Sequence, residues 1–593
     1  MFRAPISVDL PTNDYDRGNE HGPPVIRDLS SHLTEKVTIW QAATAALLWL
    51  YACRNFATIV GLDCPEPLAN LYAPPFFRAT WITTALDAGF WTAMKIKPQW
   101  LRDIASLVFS VYYLFAVEQA GEKVRRVRAI STVEHLRVSW NKATTPYLSI
   151  VARVRRPRFT RYGPRAIQIA RPDQSGYKDP INAWLYFDGP ESALREQTCV
   201  VLDFPGGGFV ALSPRDHEDR LLAWAGKLKA PVMSLDYKKA PEYPYPYALN
   251  EGYDVYRHIV ATNGRCIGLS GNTRPRIVLT GDSAGANLAV GVTLMSIARH
   301  AVPRPDGLFL AYPCLNMKVE SWMTEEQISY IRDRDVRPAG GFLQREKLGF
   351  CTLTPSSPSL SMEDDDTSSE SSRSDLASEE TVQTDCDMFS QKSTAPSKQQ
   401  HTQTAVSSVL SYVHDRILTP ELMRALILLY IGPHNRPNFD IDYLLSPVLA
   451  PDSLLAQFPK TYFLTGERDP LVDDTVLFAG RLRQIKLRQF RKQQELDCLD
   501  CEDCEQQQIF NEKNHVEVSL LPGISHGFFQ MVSFFPEGWE FVYRSAGWIR
   551  ELLGMGTPSM DSVCQAGSSW GSLGSEEDML GRRMNELTGV LYR

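Results

Sequence analysis

The stretch Arg276–Ala289, RIVLTGDSAGANLA, limits what this chain can be more than any other. A short apolar run rich in β-branched residues, Ile277–Thr280, meets Gly281-Asp282-Ser283-Ala284-Gly285 and passes directly into a small-residue helical pattern. Strand, sharp turn and helix in that order are the setting in which Gly-x-Ser-x-Gly works as a nucleophile elbow. In so tight a turn, side chains two before and two after the serine would collide, and glycine stands at both places. Ser283 is expected in strained backbone at the head of a helix, where free N–H groups and the helix dipole favour an anion. Taken alone, the same five residues also suit a plain strand-ending turn.

The surroundings favour the elbow. Cys199–Phe204 (CVVLDF) reads as a strand running into Pro205-Gly206-Gly207-Gly208-Phe209, where successive glycines bare backbone N–H groups of the kind that hold an oxyanion. A flexible loop is the other reading of that segment. A helical pattern at Glu218–Leu228, a strand at Val232–Tyr237, a helix around Ala248–Ile259 and a buried strand at Leu308–Pro313 follow. Strands alternating with helices predict an α/β chain with a mostly parallel sheet covered on both faces. Thr461–Gly466 is a further strand, ending in Glu467-Arg468-Asp469-Pro470-Leu471. The last, Val516–Leu521, delivers Pro522-Gly523-Ile524-Ser525-His526-Gly527-Phe528.

A serine hydroxyl needs a base to take its proton, and the base needs a carboxylate to fix its tautomer. Ser283, Asp469 and His526 each fall just after a strand, in the chain order Ser…Asp…His of an α/β-hydrolase. Of the 11 histidines, His526 alone stands at a strand end followed by glycine. Such a relay calls for no cofactor.

The other segments are less specific. Residues 1–35 are polar and read as a mobile tail. In 36–145 two apolar stretches, Val37–Cys53 and Ile104–Val117, are each shorter than the ~20 apolar residues of a membrane span. They read as buried helices or, with the basic run Lys123–Arg128 behind the second, as an anchor at a lipid surface. From Tyr147 to Phe187 the text (YLSIVARVRR, AIQIA, AWLYF) alternates like half-exposed strands, with Arg153, Arg155, Arg156 and Arg158 on a solvated edge. The serine-rich, acidic stretch 350–408 is expected to be disordered, a passive spacer or a substrate for a kinase. Helical periodicity returns at Pro420–Tyr430. The charged piece Lys486–Asn514 reads as a solvent loop or helical excursion. Its Cys498, Cys501 and Cys504 lack a nearby fourth zinc ligand, His515 being distant, so no metal is expected. The tail 556–593 reads as flexible.

Over 593 residues a net charge of -7 gives no footing for nucleic acid. An odd count of 11 scattered cysteines and a polar opening, MFRAPISVDLPTNDYDRG, favour a reducing, cytoplasmic setting.

Five motifs carry a resemblance. Gly206-Gly207-Gly208-Phe209, Asp236-Tyr237…Ala240-Pro241-Glu242, Gly281-Asp282-Ser283-Ala284-Gly285, Asp469-Pro470-Leu471 and Ser525-His526-Gly527-Phe528 stand in the order seen in the hormone-sensitive lipase family of α/β-hydrolases. The likeness covers about 195–320 and 440–550. It implies an α/β-hydrolase fold: a mostly parallel eight-stranded sheet, capped by N-terminal segments and an insertion. The hydrolase domain would then occupy 146–349 and 409–555, interrupted by 350–408 and carrying the charged excursion 486–514. The resemblance makes Ser283 the nucleophile, His526 the base and then acid, and Asp469 its orienter, with Gly207, Gly208 and Ala284 as oxyanion donors. One departure stands out: where the family has a histidine before the three glycines, this chain has Pro205.

The expected function is a serine esterase or lipase (EC 3.1.1) acting on apolar or lipid esters, cytoplasmic and peripheral to the endoplasmic reticulum membrane or lipid droplets. The alternative is a catalytically weak or inactive hydrolase fold kept for binding, as a receptor, with Pro205 its support.

Overall fold

The computed structural model describes residues 44–46, 49–50, 72–128, 132–318, 408, 412, 415–500 and 510–556. The expectations for 1–35, for nearly all of Val37–Cys53, for 350–407 and for 557–593 lie outside them, as do those for the side chains of Cys498, Cys501 and Cys504.

Five helices come first: α1 (Pro74–Ala93), α2 (Gln99–Phe115), α3 (Val117–Arg128), α4 (Val133–Trp140) and α5 (Pro146–Arg155). Helices α1 and α2 approach closely at Gly89, where a Cβ would lie 2.2 Å from Ser110 Oγ. Asp87 of α1 is bound by Ser139 Oγ at 2.7 Å and Lys142 Nζ at 2.6 Å, which ties α4 to the pair.

The sheet then assembles from β1 (Arg165–Ile169), β2 (Ile181–Tyr186), β3 (Cys199–Phe204), β4 (Val232–Leu235), β5 (Arg276–Asp282), β6 (Gly307–Ala311), β7 (Thr461–Gly466) and β8 (Val516–Leu521). Their spatial order is β1-β2-β4-β3-β5-β6-β7-β8, antiparallel from β1 through β2 to β4 and parallel from there on. Strands β3, β4, β6 and β7 are buried at every residue, as a parallel sheet covered on both faces requires. The remaining helices are α6 (Glu191–Arg195), α7 (Glu218–Leu228), α8 (Tyr247–Ala261), α9 (Ala284–Arg299), α10 (Pro420–Ile431), α11 (Asp452–Leu455), α12 (Val472–Asp500) and α13 (Gly538–Leu552). One core layer joins α8, α9, α10 and α12 to the sheet; the other joins α1, α7 and α13.

One sequence expectation is corrected, together with the arginine edge that went with it. Tyr147–Arg155 is helix α5, not a strand: Tyr147, Ile150 and Val154 recur at helical spacing as well as alternating, and Pro146 starts the helix at its first turn. Arg156 accordingly lies on no strand edge; its guanidinium pairs with Glu218 at 3.0 Å and with Asp219. The charged piece after Lys486 continues helix α12 as far as Asp500. Among the described residues no helix is long and apolar enough to cross a membrane.

Candidate active site

Strand β5 turns into α9 at Ser283, whose backbone takes φ 51 and ψ −120. A Cβ on Gly281 would fall 2.5 Å from the backbone of Gly285, and one on Gly285 would fall 1.9 Å from the Phe204 carbonyl oxygen. Glycine at both places is therefore a steric requirement, and the second comes from the neighbouring strand β3.

The three expected partners meet. His526 Nε2 lies 2.9 Å from Ser283 Oγ, and its Nδ1 lies 3.0 and 3.1 Å from the two oxygens of Asp469. Asp469 is fully buried and also accepts the Leu471 N–H at 2.8 Å. Burial works against the imidazolium of His526, but Asp469 beside it more than offsets this, and the net pKa lies above that of an ordinary imidazole. Tyr312 packs edge-on against the ring with centroids 4.9 Å apart.

The glycine loop lies beside the hydroxyl. Gly207 has φ +107 and a Cβ there would sit 2.2 Å from the Ala211 carbonyl, so the loop's path excludes a side chain. Among the described residues no protein acceptor meets the N–H groups of Gly207, Gly208 and Ala284. At Pro205 the carbonyl accepts the buried Tyr237 hydroxyl at 2.9 Å, and the Gly206 N–H donates to Asp282 Oδ1 at 2.9 Å. Arg137 of α4 grips the far side of the loop through the Val210 carbonyl at 3.0 Å, and holds Glu242 at 2.6 and 2.8 Å.

Beneath the elbow lies a polar layer that sequence reasoning missed. Arg220 on α7, 1% exposed, bonds Asp282 at 2.7 Å and Asp203 at 3.1 Å. Ser234 and Thr280 complete Asp203 at 2.7 and 2.9 Å. Burial opposes ionisation of Asp282, yet the Arg220 guanidinium holds its carboxyl below the usual range. Burial also pushes His217 down to about 3, so it stays neutral. The one textual clue was an arginine amid the apolar positions of Glu218–Leu228.

A cavity of about 800 Å³ reaches Ser283, His526, Gly207 and Gly208 at its base, and Leu107 and Leu148 on its helical wall. Among the described residues no group of three His, Cys, Asp or Glu is arranged to hold a metal.

A family model described as alpha/beta hydrolase fold matches residues 201–344 and 386–497. With the sheet order and the elbow, this gives the protein the α/β-hydrolase fold. The chain is 44% identical over 124 residues to hormone-sensitive lipase of Homo sapiens, covering 21% of this chain and 11% of that protein. It is 35% identical over 125 residues to esterase LipI of Mycobacterium tuberculosis, covering 21% of this chain and 37% of that protein. Within that fold the chain is similar to the hormone-sensitive lipases over about a fifth of its own length. The alignments span only 11% to 18% of the lengths of the hormone-sensitive lipases matched. Among solved structures, an esterase from Pyrobaculum calidifontis aligns over 72% of this chain and 97% of its own, at 20% identity and a TM-score of 0.45.

Proposed function

We propose that this chain is a serine carboxylic ester hydrolase, an esterase or lipase working through an acyl-enzyme on Ser283. The single observation that carries the reading is the contact of Ser283 Oγ with His526 Nε2 at 2.9 Å, with Asp469 on the other ring nitrogen. In this reading His526 takes the hydroxyl proton as the serine oxygen attacks the ester carbon. The carbonyl oxygen becomes an oxyanion facing the N–H groups of Gly207, Gly208 and Ala284. His526 then gives the proton to the leaving alcohol, and water repeats the cycle on the acyl-enzyme.

The substrate class follows from the walls. Leu107, Leu148, Leu426 and Phe534 give the cavity an apolar lining suited to an acyl chain. Helix α2 is inverted for a soluble helix: its buried residues are Ser106 and Ser110, while Trp100, Val108 and Phe115 are 62% to 65% exposed. Val111 and Leu114 belong both to that exposed face and to the cavity wall. Ile150 and Val154 of α5 extend the exposed apolar surface. This supports an enzyme that draws lipid esters from a surface it rests on, peripheral to a membrane or lipid droplet. A kinase acting on 350–408 belongs to the same proposal, on composition alone; phosphopeptide mapping in cells tests it.

The test is a panel of p-nitrophenyl esters of graded chain length, run with and without phospholipid vesicles. Hydrolysis lost in Ser283→Ala, together with fluorophosphonate labelling lost in the same variant, is expected. A wild-type chain that neither cleaves any ester nor takes the label would leave the binding or receptor reading in place.

A further inference from the structure

Asp415 has no part in the relay, yet it is bonded to Ser525, the residue just before His526. It is 2% exposed and among the most heavily bonded carboxylates described. One oxygen accepts the Tyr72 hydroxyl at 2.6 Å and the hydroxyl of Ser525, the residue immediately before the imidazole. The other accepts the N–H groups of Ile417 and Leu418 at 2.8 and 2.7 Å. Ile417 and Leu418 line the cavity beside His526. A buried anion held by four donors is a rigid knot, because moving any arm strands the charge.

We propose that Asp415 is a positioning residue for His526: it fixes Ser525, and with it the backbone carrying the imidazole, against the cavity wall at Ile417-Leu418. The groups facing the imidazole are Asp469 after β7, Tyr312 after β6, Asp282 and Ser283 at the elbow, and Asp415 ahead of α10. Asp415 is the second of three nearby anions that favour the imidazolium, after Asp469 and ahead of Asp282. Removing its charge while keeping its shape therefore loosens the loop and lowers the affinity of His526 for a proton.

The experiment uses the full chain and Asp415→Asn, with two readings. The first is kcat on a short soluble ester per fluorophosphonate-titrated site, which rests on the ester-hydrolase proposal. The second, independent of turnover, is the titration midpoint of His526 by nitrogen-15 histidine NMR, assigned by its loss in His526→Gln. We expect kcat to fall about tenfold or more with KM held within about threefold, and the midpoint to move down by at least ~0.5 pH unit. Ser525→Ala and Tyr72→Phe keep the carboxylate, so kcat should fall while the midpoint moves less; they carry the test if Asp415→Asn does not fold. A variant set that titrates fewer sites but keeps kcat per site and the midpoint unchanged overturns the proposal. A wild type without esterase activity whose midpoint still drops in Asp415→Asn keeps it and removes the ester-hydrolase reading instead.

Discussion

His526 lies under two opposed influences, and which one wins sets the pH response of the proposed ester hydrolysis. Burial disfavours the imidazolium, Asp469 favours it, and the balance raises the pKa above the ordinary 6.5. A base must be neutral to accept the serine proton, so kcat/KM should rise with pH along an acid limb lying above that of a free imidazole. In Asp469→Asn the limb should shift to lower pH and kcat should fall by about 10³–10⁴-fold, read from pH–rate profiles on a soluble ester. The same shift has a stability side. A raised folded-state pKa gives a contribution fully present below the unfolded-state pKa and lost as pH rises through the folded value. Wild type should therefore exceed Asp469→Asn in stability by more at pH 5.5 than at pH 8.5; equal gaps in urea titrations would contradict the pairing. Ser283 makes a second case at this scale. Its φ of 51 with ψ −120 is a conformation that costs a side chain about 1–3 kcal/mol. Ser283→Gly should consequently unfold at a higher urea midpoint than Ser283→Ala, by about 1 kcal/mol, with both inactive. These three residues could be read from the text because each follows a strand that the apolar pattern marks. Arg220 and Asp415 could not, since their side-chain partners lie 17 to 343 positions away and no local periodicity joins them.

Elements were legible where a single period governs them. The runs at β3, β5, β6 and β7 are apolar because both faces are covered, and the sequence has few other uses for such runs. Helix α5 was not legible, because Tyr147–Arg155 satisfies a period of two and one of 3.6 together. What decides there is the tertiary setting, in which α5 joins the helical wall over the cavity rather than the sheet. The glycine loop was seen as a backbone donor, but its bracing was not: Tyr237, Asp282 and Arg137 hold it from three separate elements. At Pro205 the loop is held through the proline's carbonyl and the next residue's N–H, backbone groups that need no particular side chain at that position. Two outcomes follow. Gly207→Ala should abolish turnover, because the φ of +107 and the Ala211 carbonyl leave no room for a methyl group; kcat measured on folded protein checks this. Arg220→Met should cost about 3–5 kcal/mol of stability by stranding Asp203 and Asp282 without their cation, and urea unfolding reads it directly. A cost under about 1 kcal/mol would mean that the two carboxyls take up protons freely in the folded state.

For the molecule as a whole, the arrangement of apolar surface supports the proposed route by which a lipid ester would arrive. A helix packing on a soluble core normally turns its apolar stripe inward. Helix α2 instead sets its two serines against Gly89 of α1, and that close approach needs small side chains, so the large ones are left outside. The exposed face meets the cavity at Val111 and Leu114, so a chain leaving a lipid layer would pass from one apolar surface to the next without entering water. Lys95 and Lys97 are exposed in the turn just before α2, placed for anionic headgroups. Turning Val108 and Phe115 to glutamate together should abolish co-sedimentation with anionic phospholipid vesicles and cut hydrolysis of long-chain esters presented in them. Hydrolysis of a short soluble ester should stay within about twofold, because neither side chain reaches Ser283 or the glycine loop. Equal loss on both substrates would instead mean that α2 braces the cavity wall, and the route from surface to serine would have to be sought elsewhere in the cap.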